Sequence, residues 1–173
     1  EGKKPYEGSD IQEGDIISVD MGAVLDGFHS DAARTFPVGK ISPEAQRLID
    51  VTKESFFKGI ENLKHGAKLG DVSFAIQSFV EDNGYSVVRD LVGHGIGREL
   101  HEDPSVPNFG KAGKGVKLAA GMTLAIEPMV NAGGYEVSVL DDDWTVVTDD
   151  GSLSAHYENT VLITKDGYEI LTL

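Results

Sequence analysis

Four carboxylates in predicted strands constrain the fold of this chain more than any other feature of its sequence. Each has apolar or strand-forming residues close by, and the four are Asp20, Asp31, Glu127 and Glu158. Glu127 is the sharpest case, because Leu-Ala-Ile precedes it and Pro-Met-Val follows it. A carboxylate is costly to bury without a partner, so the fold must bring a partner to Glu127. Asp20 and Asp31, taken alone, are more typical of a surface pair.

A β-hairpin is predicted in the first part of the chain, after a polar lead-in. Residues 15–21 have the pattern of a strand, Asp26-Gly27 is a favoured two-residue turn, and residues 28–38 form the returning strand. Asp20 and Asp31 lie on opposite arms of this hairpin. Strand pairing can therefore bring their side chains within reach of one ion.

Two helices and a series of short strands are predicted next. Ser42 before Pro43 is a helix start, and apolar residues at helical spacing continue to about residue 64. A second helix is predicted from Asp71, as its N-cap, to a stop at Asn83-Gly84. Short strands are predicted over 85–91, 122–130, 135–140, 144–148, 154–164 and 168–171, with a loop over 104–115. This order favours a single α+β domain over residues 1–173, with a mainly antiparallel sheet.

Composition narrows the class of function. The chain has 173 residues and a formal net charge of -14, from 29 acidic and 15 basic residues. Such a surface repels phosphate backbones, so no direct nucleic-acid partner is expected. No apolar run approaches the roughly 18 residues of a membrane span, and no signal-peptide pattern is seen, so no membrane partner is expected. The lack of cysteine excludes thiolate ligands and fits a cytoplasmic protein.

Two histidines complete the candidate constellation. His94 and His101 lie in the segment 93–104, with three glycines before the second histidine. Imidazole ligates metals or transfers protons near neutral pH, and carboxylates with imidazole suit hard or borderline divalent ions. Four carboxylates with a neutral His94 would balance the charge of two divalent ions, and two-metal sites activate water at neutral pH. The residues thus predict a metal site, with surface acids and a packed core histidine as the alternatives.

The chain resembles a known family, the methionine aminopeptidases of the pita-bread metallopeptidase fold. The matching strings are DGFHSD over 26–31, GHGIG over 93–97, HEDP over 101–104, GMTLAIEP over 121–128 and YENT over 157–160. The type I form is the more similar, because the insertion that marks type II is absent before Glu127. The resemblance implies a mainly antiparallel sheet with helices on one face, and removal of the initiator methionine from nascent proteins.

The resemblance also implies a metal ligand set. Asp20 would bind one ion, and His94 with Glu127 would bind the other. Asp31 and Glu158 would bridge the two ions, which could be cobalt, manganese, iron or zinc. A metal-bridging hydroxide would attack the carbonyl after methionine, with Glu127 transferring the proton.

Further residues take roles by the same resemblance. His101 would donate a hydrogen bond to the scissile carbonyl, and Leu100 and Trp144 would bind substrate in the methionine pocket. Leu100 stands where the family commonly has an aromatic residue, and Asn159 stands where the family often has a histidine. The shape of the methionine pocket and the orientation of the metal ligands are therefore expected to differ from those of the family. The remaining histidines match no ligand and are expected at the surface or behind the ligands: His29, His65 and His156.

Three functions stay open from the sequence. The first is a cytoplasmic dinuclear methionine aminopeptidase; the others are an Xaa-Pro peptidase of the same fold and a non-catalytic peptide-binding module. Family domains carry a further N-terminal segment that forms part of the methionine pocket. Residues 1–5 do not match that segment, so the activity of this chain by itself is left open. The expected partners are N-terminal methionine peptides, the ribosome, and either a second copy or that segment.

Overall fold

The Asp26-Gly27 turn joins two antiparallel strands, β1 (Ile16–Leu25) and β2 (Phe28–Pro37). In this computed structural model, which describes residues 10–173, the turn residues have φ values of 52° and 76°. Two positive φ values are what a tight hairpin turn requires. The register pairs Asp20 with Ala33 and Gly22 with Asp31. Asp20 and Asp31 are therefore diagonal neighbours on one face of the hairpin, as predicted.

The two predicted helices form, but the first ends at Ile60 and not at about residue 64, and the start of the second is corrected. They are α1 (Pro43–Ile60) and α2 (Leu69–Asp82). Ser42 caps α1 as predicted, since its hydroxyl accepts a hydrogen bond from Ala45 N at 3.1 Å. The predicted N-cap at Asp71 is wrong: Lys68 is the N-cap of α2, and Asp71 lies in the first turn. Its carboxylate accepts from Lys68 N at 3.2 Å, so it caps the helix from inside the first turn.

The rest of the described chain forms short strands: β3 (Ser86–Val87), β4 (Gly93–Gly95), β5 (Glu102–Val106), β6 (Thr123–Ile126), β7 (Met129–Asn131), β8 (Val137–Val139), β9 (Val146–Thr148), β10 (Ser154–His156), β11 (Asn159–Ile163) and β12 (Tyr168–Ile170). They form a five-stranded sheet in the order β12-β11-β6-β4-β5, a three-stranded sheet β10-β7-β3 and the hairpin β8-β9. The strand pairings are antiparallel, which confirms the α+β prediction. The predicted loop over 104–115 starts too early, because β5 extends into it.

Two predicted strands are each broken in the middle. The segment 122–130 divides into β6 and β7 around Glu127-Pro128, and the segment 154–164 divides into β10 and β11 around Tyr157-Glu158. Strand β6, before the first break, pairs with β11, after the second break, in the five-stranded sheet. Strand β7, after the first break, pairs with β10, before the second break, in the three-stranded sheet. Tyr157 N donates to Pro128 O at 3.2 Å, so the two breaks lie side by side. Glu127 and Glu158 thus lie outside the regular strand ladders.

The apolar core lies between the helices and the sheets. Helix α1 packs against β7 and β10, and α2 packs against β3, so both helices contact the three-stranded sheet. The largest fully buried apolar side chains come from both layers and include Leu48, Phe56, Ile60, Ile76, Leu124, Ile126 and Ile163. Over residues 10–173, no helix combines the length and the hydrophobicity needed to cross a membrane.

Candidate metal centre

Carboxylates and an imidazole converge where β2, β4 and the two strand breaks meet. His94 Nε2 lies 3.9 Å from Asp31 Oδ2 and 3.6 Å from Glu127 Oε1. Asp31, His94 and Glu158 each offer a ligand atom, and these atoms lie within 4.8 Å of one another. Such distances are too long for ordinary hydrogen bonds and suit donor atoms arranged around an ion. The Asp20 carboxylate adjoins that of Asp31 across the hairpin.

The carboxylates of this cluster oppose one another's ionisation. Burial, followed by the charge of Asp20 and a hydrogen bond to it, raises the pKa of Asp31. Burial, followed by the charges of Glu127, Asp31 and Asp20, raises the pKa of Glu158 to about 9. Glu158 is 1% exposed, and its Oε1 has no hydrogen-bond partner within the described part of the chain. An orphaned buried carboxylate oxygen among like charges fits a site built for cations.

Glycines on β4 allow His94 to reach the carboxylates. His94 pairs with Ala125 of β6, and a Cβ at Gly93 would overlap the Ala125 carbonyl oxygen. A Cβ at Gly95 would likewise overlap the Asp103 carbonyl oxygen on β5. Glycine at both positions therefore lets β4 fit between its neighbours.

The tautomer of His94 follows from its backbone contact. His94 Nδ1 lies 2.8 Å from Gly95 O, and a carbonyl oxygen can only accept. The proton is therefore assigned to Nδ1, which leaves the lone pair of Nε2 directed at the carboxylates. Metal-binding histidines are held in this way.

His101 and Leu100 lie beside the cluster. The rings of His94 and His101 have centroids 4.3 Å apart at an interplanar angle of 67°, and His101 is exposed. A Cβ at Gly22 of β1 would lie 4.0 Å from both Leu100 Cδ1 and Asp31 Oδ1, so both side chains approach Gly22. The His101 ring thus contacts a candidate ligand, and Leu100 lies beside β1. Their substrate-binding roles stay predictions.

Trp144 is not brought into the cluster. It lies in the turn between β8 and β9, and its side chain is 85% exposed. The Asp142 carboxylate holds this turn by accepting from Trp144 N at 3.0 Å and from Thr145 N at 2.7 Å. The pocket-wall role of Trp144 stays a prediction.

His156, which the sequence predicted at the surface or behind the ligands, lies beside the cluster. Its Nε2 lies 3.5 Å from Glu127 Oε2 and 3.9 Å from Glu158 Oε2. Glu127, His156 and Glu158 form a second group of donor atoms within 4.8 Å of one another. The available signal was the spacing His156-x-Glu158 within the predicted strand 154–164, although the break at Tyr157-Glu158 means that the tertiary fold sets their positions.

Polar residues behind the cluster hold the ligand backbones. Thr160 Oγ1 accepts from Asp31 N at 2.8 Å and donates to Asp31 O at 3.0 Å. Arg34 Nη1 donates to Glu158 O, and its Nη2 donates to Asn159 Oδ1 at 2.7 Å. The Asn159 side chain is thus engaged with Arg34. The Arg34 charge is also the one that lowers the pKa of Glu158 against the other effects.

Comparison with known proteins settles the family of this chain. The profile of metallopeptidase family M24 matches residues 2–165. The chain belongs to metallopeptidase family M24. Its similarity to methionine aminopeptidases is high: it is 66% identical to the methionine aminopeptidase of Clostridium perfringens over 164 residues, which are 95% of this chain and 66% of that protein. Family M24 membership implies the use of a divalent metal, for which the residues above are candidate ligands.

Solved structures confirm the pita-bread fold. The crystal structure of methionine aminopeptidase from Thermotoga maritima matches with a TM-score of 0.94 at 54% identity, covering 98% of this chain and 68% of that chain. The prolidase of Pyrococcus furiosus matches with a TM-score of 0.73 at 25% identity, covering 94% of this chain and 42% of that chain. The M24 chain is therefore more similar to the methionine aminopeptidase than to the prolidase. It spans about two thirds of the length of its curated relatives, 66% for the Clostridium protein.

Proposed function

We propose that this M24 chain carries the metal centre of an aminopeptidase that removes the N-terminal methionine from nascent proteins. The observation that carries the proposal is the convergence of the Asp31, His94 and Glu158 donor atoms within 4.8 Å, with Glu127 beside them. The 66% identity to a methionine aminopeptidase supports the choice of substrate. Nascent chains and the absence of cysteine both suit a cytoplasmic location.

We propose two divalent ions in this centre. Asp20 would hold one ion, His94 and Glu127 would hold the other, and Asp31 and Glu158 would contribute to both. Ions bound there polarise a carbonyl group and lower the pKa of a water molecule. Oxygen and imidazole donors suit cobalt, manganese, iron and zinc alike.

Side chains of the protein are proposed to accept a proton, to donate a hydrogen bond to the substrate and to bind its methionine side chain. Glu127 accepts the proton of the attacking water, because its carboxylate borders the cluster next to His94. His101 is exposed beside His94 and donates a hydrogen bond to the substrate carbonyl oxygen as negative charge develops there. Leu100 supplies apolar surface for the methionine side chain. Trp144 stays a proposed wall of the same pocket, although it is exposed on the β8–β9 hairpin outside the cluster.

The β1–β2 hairpin supports a further partner. Large apolar side chains are exposed on it, namely Val19, Met21, Val24, Leu25, Phe28 and Phe36. We propose that they are covered either by a second copy of the chain or by the additional residues that the longer relatives carry. Sedimentation equilibrium of the chain distinguishes these cases, and co-sedimentation with ribosomes tests ribosome association.

Metal analysis with a peptide panel tests the proposed function. After reconstitution with Co²⁺, Mn²⁺ or Fe²⁺, we expect about two equivalents of metal, and less than about one would contradict the dinuclear centre. A Met-Ala peptide should be cleaved in preference to Xaa-Pro peptides; the reverse preference would identify an Xaa-Pro peptidase. Metal binding without cleavage of either would favour a binding module, unless a chain extended with the residues of the Clostridium relative that the match does not cover restores turnover.

A further inference from the structure

We propose that His156 is a positioning residue of the metal centre. In the metal-bound centre its Nε2–H would donate a hydrogen bond to Glu127 Oε2, and this bond would direct Oε1 of the same carboxylate toward His94. The inference rests on the proposed metal centre. It adds a role for a residue that matches none of the family's ligands.

The Glu127 carboxylate lies between two imidazoles that approach different oxygens. Oε1 is 3.6 Å from His94 Nε2, and Oε2 is 3.5 Å from His156 Nε2. The backbone of Glu127 is held by Asn108, whose Nδ2 donates to Glu127 O at 3.0 Å. Its carboxylate needs a separate partner to fix its rotation, because the backbone contact does not constrain the side-chain torsions. His156 is placed to supply that partner.

The His156 ring also lacks a hydrogen-bond partner at one of its nitrogen atoms. Its Nε2 is buried and has no hydrogen-bond partner among residues 10–173. A buried polar group without a partner costs about 1–3 kcal/mol, so the ring favours any nearby acceptor. Glu127 Oε2 is nearer than Glu158 Oε2, at 3.5 Å against 3.9 Å. A shift of roughly half an ångström brings the nearer pair to ordinary hydrogen-bond length.

The backbone under His156 is rigid enough for a positioning role. His156 N donates to Thr35 Oγ1 at 2.8 Å, and Thr35 Oγ1 donates to His156 O at 3.0 Å. Strand β10 also pairs His156 with Met129 of β7. The ring is therefore carried by a residue that is tied to strands on both sides.

Direct metal binding by His156 is the competing role, and the arrangement of oxygens favours positioning. If His94 and Glu127 Oε1 held an ion, Oε2 would stay available as an acceptor, and His156 Nε2 lies on that side at 3.5 Å. Carboxylates that bind metals are commonly held by such hydrogen bonds. His94 meets the requirement of a ligand because Gly95 O holds its Nδ1 proton.

Substitutions at position 156 separate the two roles. His156→Ala and His156→Leu remove the donor, whereas His156→Gln keeps an N–H donor without an imidazole. We expect the first two variants to lower Co²⁺ affinity about 10- to 100-fold, and the glutamine variant to recover most of it. X-ray absorption of the Co²⁺-loaded chain should show the same number of imidazole ligands in all of them. His65→Gln is the matched control, because His65 is exposed and its Nδ1 accepts from Ala120 N.

The outcomes are distinct. Unchanged Co²⁺ affinity in the alanine and leucine variants would overturn the inference, provided that circular dichroism shows them folded without metal. Equal losses in all three variants, with one imidazole fewer in the absorption spectrum, would overturn it in favour of direct ligation. Failure of the unsubstituted chain to bind Co²⁺ would instead defeat the proposed metal centre, and this is measured before any variant is compared.

Discussion

At the scale of single residues, the candidate centre is defined by polar atoms that the protein leaves unpaired. Glu158 Oε1 and His156 Nε2 are both buried and without a partner among the described residues. His94 presents its Nε2 to the carboxylates because its Nδ1 is occupied by Gly95 O. Such atoms are costly in an empty protein interior. A bound cation accounts for the placement of Glu158 Oε1 and His94 Nε2 better than packing does, whereas His156 Nε2 is assigned to Glu127 Oε2.

Replacing His101 should impair turnover without affecting the metal. Its ring contacts the His94 ring and is exposed, so it is placed to meet a substrate. We expect His101→Ala to lower kcat about 100-fold or more, as for loss of an oxyanion donor, with unchanged metal content. Turnover of Met-Ala peptides and metal analysis of the same samples measure the two effects. Loss of metal from this variant would show that His101 has been assigned the wrong role, and His65→Ala serves as the control.

Metal binding should release protons at neutral pH. The pKa of Glu158 is raised to about 9 from 4.5, so Glu158 is protonated at pH 7 without metal and must ionise to bind one. Affinity for Co²⁺ should therefore rise with pH and level off near pH 9. Calorimetry in buffers of different ionisation enthalpy measures the protons released. An affinity that is independent of pH between 6 and 9 would contradict the assignment.

The raised pKa of Glu158 also makes the stability of the metal-free chain depend on pH. Because the folded pKa of Glu158 lies above 4.5, its contribution to the free energy of unfolding is fully present below pH 4.5. That contribution is lost as pH rises toward 9, since the folded state must then hold a buried charge.

At the scale of secondary-structure elements, two features build the site: the breaks in two strands and the close fit of β4. Glu127 and Glu158 lie where their strands pass from one sheet to the other. A residue at such a break is released from the alternation of a regular strand. Both carboxylates can therefore turn toward His94 without a polar side chain entering the apolar core.

Adding a methyl group to β4 should disturb both stability and metal binding. A Cβ at Gly93 would overlap Ala125 O and lie 3.3 Å from Glu127 Cγ. We expect Gly93→Ala to lower the free energy of unfolding by about 1–3 kcal/mol and to weaken Co²⁺ binding. Urea denaturation and a Co²⁺ titration measure these effects. Gly167→Ala is the control, because the atom nearest to a Cβ built there, Thr164 Oγ1, lies 3.9 Å away. Equal losses of stability and Co²⁺ affinity in the two variants would contradict the close fit of β4.

At the scale of the whole molecule, the candidate ligands join distant parts of the chain. Asp20 and Asp31 come from the N-terminal hairpin, His94 from the middle strands, and Glu127 and Glu158 from the strand breaks. A metal bound by all of them links the hairpin to the five-stranded sheet. Binding to the folded state alone must also raise its stability.

Divalent metal should therefore stabilise the chain in a concentration-dependent way. At a free Co²⁺ concentration 100 times Kd, the gain is about 2.7 kcal/mol. Thermal unfolding with and without Co²⁺ measures it, and a chelator should reverse it. His94→Ala should show a much smaller gain, since it removes the imidazole donor. An identical gain in that variant would mean that the metal binds elsewhere.

The features that the sequence determined by itself are those with local causes. The Asp26-Gly27 turn, the Ser42 cap and the stop at Gly84 depend on neighbouring residues, and all three form as predicted. The grouping of Asp31, His94 and Glu158 was also predicted, but from several carboxylates and a histidine considered together and not from local causes.

Tertiary structure alone decided where the strands break and what the breaks bring together. Whether residues 122–130 continue in one sheet or pass to another depends on pairing with residues 154–163, which are remote in sequence. The placement of His156 against Glu127 and the exposure of Trp144 follow from that pairing and from the β8–β9 hairpin. Local periodicity cannot report such contacts, because strand partners are chosen by the fold as a whole.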